Sequence, residues 1–225
     1  MTALLYFGDD NSVRDIFVEL TSSKGYYPIV CRDKEDLFCH IVFDRVLREK
    51  NLEKITIEPL VEEFKHIVKK IGLSLSNISE GDYKTSKIFK EYLKKDNVKK
   101  IDALIMDEMI NCYWDETLQV IGDVSKDSVS SENLLKKVEN IKQEQIHDLK
   151  KSISLVKFIR ELGYNNPIII NNEYDNVGKY NVSSSFFNAG ANVVVTGSDL
   201  FTNFEDHLNE AKKLNMAENA PAGIC

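Results

Sequence analysis

The chain reads as an α/β protein, a doubly wound five-stranded parallel sheet carrying helical insertions. Apolar runs at Ala3–Phe7, Ile101–Met106, Pro167–Ile170 and Asn192–Val195 are too short for helices, and their near-continuous apolarity suits strands covered on both faces. A weaker run, Tyr27–Cys31, supplies the fifth strand. Amphipathic segments lie between these runs, and strands alternating with helices imply crossover connections within one parallel sheet.

After the first run, Val13, Ile16, Phe17 and Leu20 recur at helical spacing, with Ser12 and Asp15 as a capping box. Near the other end Phe204, His207, Leu208, Ala211 and Leu214 repeat the pattern, with Thr202 and Glu205 as the box. Roughly seventy residues separate the second and third strands, where a crossover needs only a dozen or so beyond its helix. They predict three helices, marked by Phe38, Ile41, Val42 and Val46, by Leu60, Phe64, Ile67, Val68 and Ile71, and by Ile88, Phe89, Tyr92 and Leu93. Met109 to Ser131 lacks periodicity and reads as an irregular excursion, in which Tyr113 and Trp114 are either insertion core or a lid. Glu132 to Leu162 contains neither Gly nor Pro and predicts one long helix, its C-terminal half on the sheet and Gly163 ending it. One domain is therefore expected over 1–214, with insertions at about 36–100 and 109–150. The polar tail 215–225 fits a linker or a natural C-terminus.

A net charge of -7 argues against direct nucleic-acid binding, which needs clustered Lys and Arg to neutralise phosphates. No apolar run reaches the roughly twenty residues of a membrane span, and the N-terminus lacks the basic start of a signal peptide. The four cysteines make no CxxC pair and no metal-ligand spacing, so reduced thiols in the cytoplasm are expected. His40, His66, His147 and His207 are scattered and read as surface or satisfied core residues.

In a doubly wound sheet, ligands bind beyond the C-terminal strand ends. There stand Asp9 and Asp10 after the first run, Asp107 after Met106, Asn171 and Asn172 after Ile170, and Thr196, Gly197 and Ser198 after Val195. Asp9, Asp10 and Asp107 would converge from adjacent strands. Like charges that close call for a cation, and an all-oxygen set favours Mg²⁺. The plainer alternatives are a helix-capping loop at Asp9 and Asp10, a strand-end Asp107 with no role, and a simple turn at Asn171 and Asn172.

The acid pair, the lone Asp107, the Phe187-Asn188-Ala189-Gly190-Ala191 turn and the stretch LVKFIRELGYNNPIII (155–170) together resemble the receiver domain of two-component response regulators. That resemblance spans Leu4 to Leu214, broken by the two insertions, and implies a flavodoxin-like strand order. It further implies Asp107 as phosphoacceptor, Mg²⁺ held by Asp9, Asp10, Asp107 and the backbone carbonyl of Met109, and phosphoryl transfer from a phosphohistidine. The implied partners are a sensor histidine kinase or phosphotransfer protein, a homodimer formed on phosphorylation, and a C-terminal output domain outside this chain. An acceptor displaced to position 107 by helical insertions is similar to a quorum-sensing response regulator.

Three positions depart from the family pattern. Its switch Ser or Thr falls on Asn172, whose amide still donates, with Thr196 close by in the next strand's loop. Its lysine falls on Gly197 and its switch aromatic on Val194, and neither Lys34 nor Lys179 is placed by sequence to compensate. Weaker or differently coupled phosphorylation follows. A pseudo-receiver that binds a partner without phosphate is the competing reading. A small enzyme lacks support, since the chain has no Gly-rich phosphate loop, GxSxG or HExxH.

Overall fold

The computed structural model describes residues 2–8, 10–31, 33–49, 100–107, 131–172 and 174–218. Within them the chain runs β1 (Ala3–Phe7), α1 (Asn11–Ser23), β2 (Tyr27–Cys31), α2 (Lys34–Glu49), β3 (Ile101–Met106), α3 (Ser131–Glu161) and β4 (Ile168–Asn171). There follow β5 (Asn176–Val177), β6 (Tyr180–Asn181), α4 (Val182–Ala189), β7 (Val193–Val195), α5 (Asp199–Thr202) and α6 (Phe204–Glu218). The two later helices expected before Ile101, and the excursion with Tyr113 and Trp114, lie outside the described residues.

The predicted α/β class holds: five parallel strands pair in the order β2-β1-β3-β4-β7, a flavodoxin-like arrangement. Burial explains why four of the strands were plainly apolar and one was not. β1 and β3 lie inside the sheet, and every residue of β1 is buried. β2 is an edge strand, half-buried until Cys31, and so tolerates Pro28, whose missing N–H a central strand would need.

Side chains alternate across the sheet and build two cores. Leu5, Phe7, Leu104, Met106, Ile168 and Ile170 face α2, α3 and α4, while Leu4, Tyr6, Ala103, Ile105 and Ile169 face α1 and α6. On the first side the C-terminal half of α3 contributes Leu149, Leu155, Val156 and Ile159, whereas Val138, Glu139 and Lys142 in its other half are exposed. Gly163 ends α3 in the left-handed region at φ +85°, its N–H donating to the Arg160 carbonyl at 2.9 Å.

Both expected capping boxes are corrected. α1 is capped by Asp10, whose carboxylate accepts from the Ser12 and Val13 backbone N–H groups, because the chain leaving β1 becomes helical already at Asn11. Asp15 instead pairs with Arg14 at the surface. Thr202 ends the short α5, its hydroxyl donating to the Ser198 carbonyl, and Glu205 accepts the Tyr26 hydroxyl at 2.8 Å. A tertiary partner thus takes the carboxylate that a box would have used.

Two polar knots fix the far end of the sheet. Asp44 accepts from the Ile101 backbone N–H at 2.7 Å, from Asn166 at 2.9 Å and from Arg48 at 3.0 Å. Arg48 in turn donates to the Ile101 carbonyl. The Arg160 guanidinium bonds the carbonyls of Gly190, Tyr164 and Asn166 and the Asn192 side chain, closing the C-terminal ends of α3 and α4 together. Gly190, at φ +104°, is required there, since a Cβ would stand 2.9 Å from Arg160 Cγ. No helix among the described residues is long and apolar enough to cross a membrane.

Candidate functional site

Strand order places a switch point between β1 and β3, the position at which open α/β sheets of this order bind ligands. Asp107 stands there. It extends β3 by one residue, its backbone N–H donating to the Phe7 carbonyl at 2.9 Å. The side chain is 2% exposed. Its Oδ2 accepts the Tyr6 hydroxyl at 3.0 Å, and its Oδ1 accepts the Asn171 amide N–H. Both carboxylate oxygens are therefore engaged from the flanking strands.

Gly8 makes this approach possible. A Cβ there would lie 2.6 Å from the Tyr6 hydroxyl and 3.1 Å from Asp107 Cβ, so any larger residue would push the tyrosine off the carboxylate. The Tyr6 ring belongs to the α1 side of the sheet and stacks on Phe17 at 4.8 Å, which fixes where its hydroxyl points. Sequence reading took Tyr6 only as a strand residue. The available signal was a buried tyrosine in an aliphatic strand, because its hydroxyl needs a buried partner.

Asn171 and Asn172 close the β4 side. The Asn172 backbone N–H donates to the Val195 carbonyl at 3.0 Å, tying the loop to β7. Both side chains are buried, yet Asn171 Oδ1 and Asn172 Nδ2 have no hydrogen-bond partner among the described residues. An unsatisfied buried polar atom costs about 1–3 kcal/mol, so two of them at the end of β4, where Asn171 bonds Asp107, are more than packing alone accounts for.

The other expected residues are more dispersed. Asp10 caps α1 through one carboxylate oxygen. Asp9 and Met109 lie outside the described residues. Thr196 is exposed and lines a groove of about 310 Å³ along edge strand β7, beyond β4 as seen from β3. In that groove Asp199 accepts from Asn203 at 2.6 Å and pairs with His207 at 2.9 Å, contacts that hold its carboxyl below the usual carboxylate value. Gly197 has open space around it but a left-handed φ of +59°, a conformation unfavourable to lysine. Lys179 lies over the Tyr180 ring of the β5–β6 hairpin, and Lys34 is exposed at the start of α2.

A second polar cluster brings together a cysteine and a histidine that are far from any linear ligand motif. Cys31, Asp36 and His40 place one potential ligand atom each within 4.8 Å of one another, a group able to hold a metal ion. Their sequence pattern, C-x4-D-x3-H, straddles a strand, a turn and a helix. It therefore matches no familiar linear spacing, although Asp36 and His40 share a helix face at i, i+4.

A scan against models of known families, and searches of curated proteins and of solved structures, find no match to this chain.

Proposed function

We propose that the chain is a receiver-type signalling domain in which Asp107 accepts a phosphoryl group from the phosphohistidine of a sensor kinase or phosphotransfer protein. One observation carries the reading: a buried carboxylate at the β1/β3 switch point, bonded by Asn171 at the end of β4, where buried amide atoms of Asn171 and Asn172 lack partners among the described residues. In the reaction an Asp107 oxygen attacks phosphorus, the P–N bond breaks, and the imidazole leaves with the electron pair. Asp9, Asp10, Asp107 and the Met109 carbonyl would hold Mg²⁺, which spreads charge off the phosphoryl oxygens. The Asn172 amide is the donor for one of those oxygens.

The resting geometry adds a condition. Tyr6 and Asn171 hold both Asp107 oxygens, and a hydrogen bond to a charged group is worth about 1.5–3 kcal/mol. An oxygen that keeps such a bond is a weaker nucleophile, so uptake of phosphate is slow unless a partner or the metal ion releases the carboxylate. The same closure favours a second reading, a phosphate-independent pseudo-receiver that acts by binding a partner.

Incubation with Mg²⁺ and acetyl phosphate, followed by intact-mass measurement, separates the two. A single phosphoryl adduct, absent in Asp107→Asn, supports the phosphoacceptor. No adduct over hours, in protein that retains its fold, supports the pseudo-receiver.

A further inference from the structure

We infer that Cys31, Asp36 and His40 form a binding site for one divalent transition-metal ion of the Zn²⁺ class. The site stands independently of any role for Asp107. Cys31 ends β2, and α2 then brings Asp36 and His40 back over the strand end. Asp33 sets that return: its carboxylate accepts the Asp36 backbone N–H at 2.8 Å and its carbonyl accepts the Leu37 N–H at 3.1 Å.

Three physical arguments support the assignment. The first is geometry. His40 Nε2 lies 3.5 Å from an Asp36 oxygen, close to the roughly 3.3 Å edge of a coordination tetrahedron built from Zn–N and Zn–O bonds near 2 Å. The second is charge. A thiolate, a carboxylate and a neutral imidazole carry two negative charges, so a divalent ion makes a neutral buried unit. The third is ligand type. Sulfur and imidazole select Zn²⁺ or its neighbours over Mg²⁺, which prefers an all-oxygen shell.

The same three side chains could suggest a nucleophilic Cys–His–Asp arrangement, but the surroundings argue against it. Reactive cysteines are partly exposed and sit in positive surroundings. Cys31 is 2% exposed and lies beside the Asp36 carboxylate, a buried and acidic setting. Such a setting suits a ligand to a cation better than a nucleophile, since a coordinated thiol is held as thiolate by the ion itself. Three protein ligands leave a fourth position open, as in metal sites that take up water or a further ligand.

The test uses the full chain, stripped of metal by chelator and titrated with Co²⁺. The expected result is one equivalent bound, with tetrahedral d–d bands in the visible and a thiolate-to-cobalt charge-transfer band in the near ultraviolet. Zn²⁺ should displace both. Cys31→Ser should lose the charge-transfer band, and His40→Gln and Asp36→Asn should each weaken binding by more than about a hundredfold, beyond the effect of outer-sphere changes. Circular dichroism of each variant checks that the fold is retained, and His40→Gln serves if Cys31→Ser does not fold. Absence of the charge-transfer band in the parent, its persistence in Cys31→Ser, or parental affinity in His40→Gln would each overturn the assignment.

Discussion

Replacing Tyr6 with Phe isolates one bond at the centre of the site. The substitution removes the hydroxyl that donates to Asp107 Oδ2 at 3.0 Å, and leaves in place the ring that stacks on Phe17 at 4.8 Å. No apolar cavity opens, so among the described residues the loss is that of the hydrogen bond to the buried Asp107 carboxylate, about 1.5–3 kcal/mol. For a chain of this size each kcal/mol lowers Tm by roughly 2–4 °C, so Tyr6→Phe should melt about 3–12 °C below the parent. Phosphoryl uptake should move the other way. If release of this bond lies on the path to attack, removing it speeds adduct formation about 10- to 150-fold, at 1.4 kcal/mol per factor of ten. Urea unfolding gives the first quantity, and a mass-resolved time course with acetyl phosphate gives the second. In an Asp107→Asn background the stability cost should shrink toward the roughly 0.5–1.5 kcal/mol of a neutral hydrogen bond. A variant as stable as the parent refutes the energetic argument. One that is destabilised but takes up phosphate no faster refutes the idea that Tyr6 guards the carboxylate.

Two further predictions concern the scaffold. Asp44→Ala should destabilise by about 3–5 kcal/mol, because it leaves the Ile101 N–H, the Asn166 amide and Arg48 without their shared acceptor, and urea unfolding reads this directly. A loss below about 1 kcal/mol would show that the knot is ornamental. Burial, then the hydrogen bond and charge of Glu205, push the Tyr26 hydroxyl up to about 12. A folded value above the unfolded 10.0 means that its stabilisation is complete below pH 10 and fades as pH rises toward 12. The tyrosinate absorbance of the parent minus that of Tyr26→Phe should have its midpoint near pH 12, and a midpoint near 10 would contradict the contact.

The sheet was legible because its signals are local. Five apolar runs met the observed strands within one residue at either end, and the Gly-free, Pro-free stretch before Gly163 became α3. Asp107 was legible for the same reason: a carboxylate just after a buried strand must emerge at the strand end. What surrounds it was not. Tyr6 and Asn171 reach Asp107 from 101 and 64 residues away, and only the strand order brings them together. Cap choice failed where tertiary contacts competed, as when Glu205 turned to Tyr26. The Cys31 cluster escaped because its members, divided between a strand end and a helix, match no linear ligand spacing.

The Asp44–Arg48–Ile101 knot has a consequence for how the chain tolerates change. The knot holds the last turns of α2 and the first residue of β3, about fifty residues apart in sequence, within hydrogen-bond distance of each other. Closing a loop of almost any length onto such a junction adds only about 0.6 kcal/mol per doubling of its length. The junction therefore behaves as a socket. What the sheet requires of this junction is the pair of contacts at Ile101, its N–H to Asp44 and its carbonyl to Arg48.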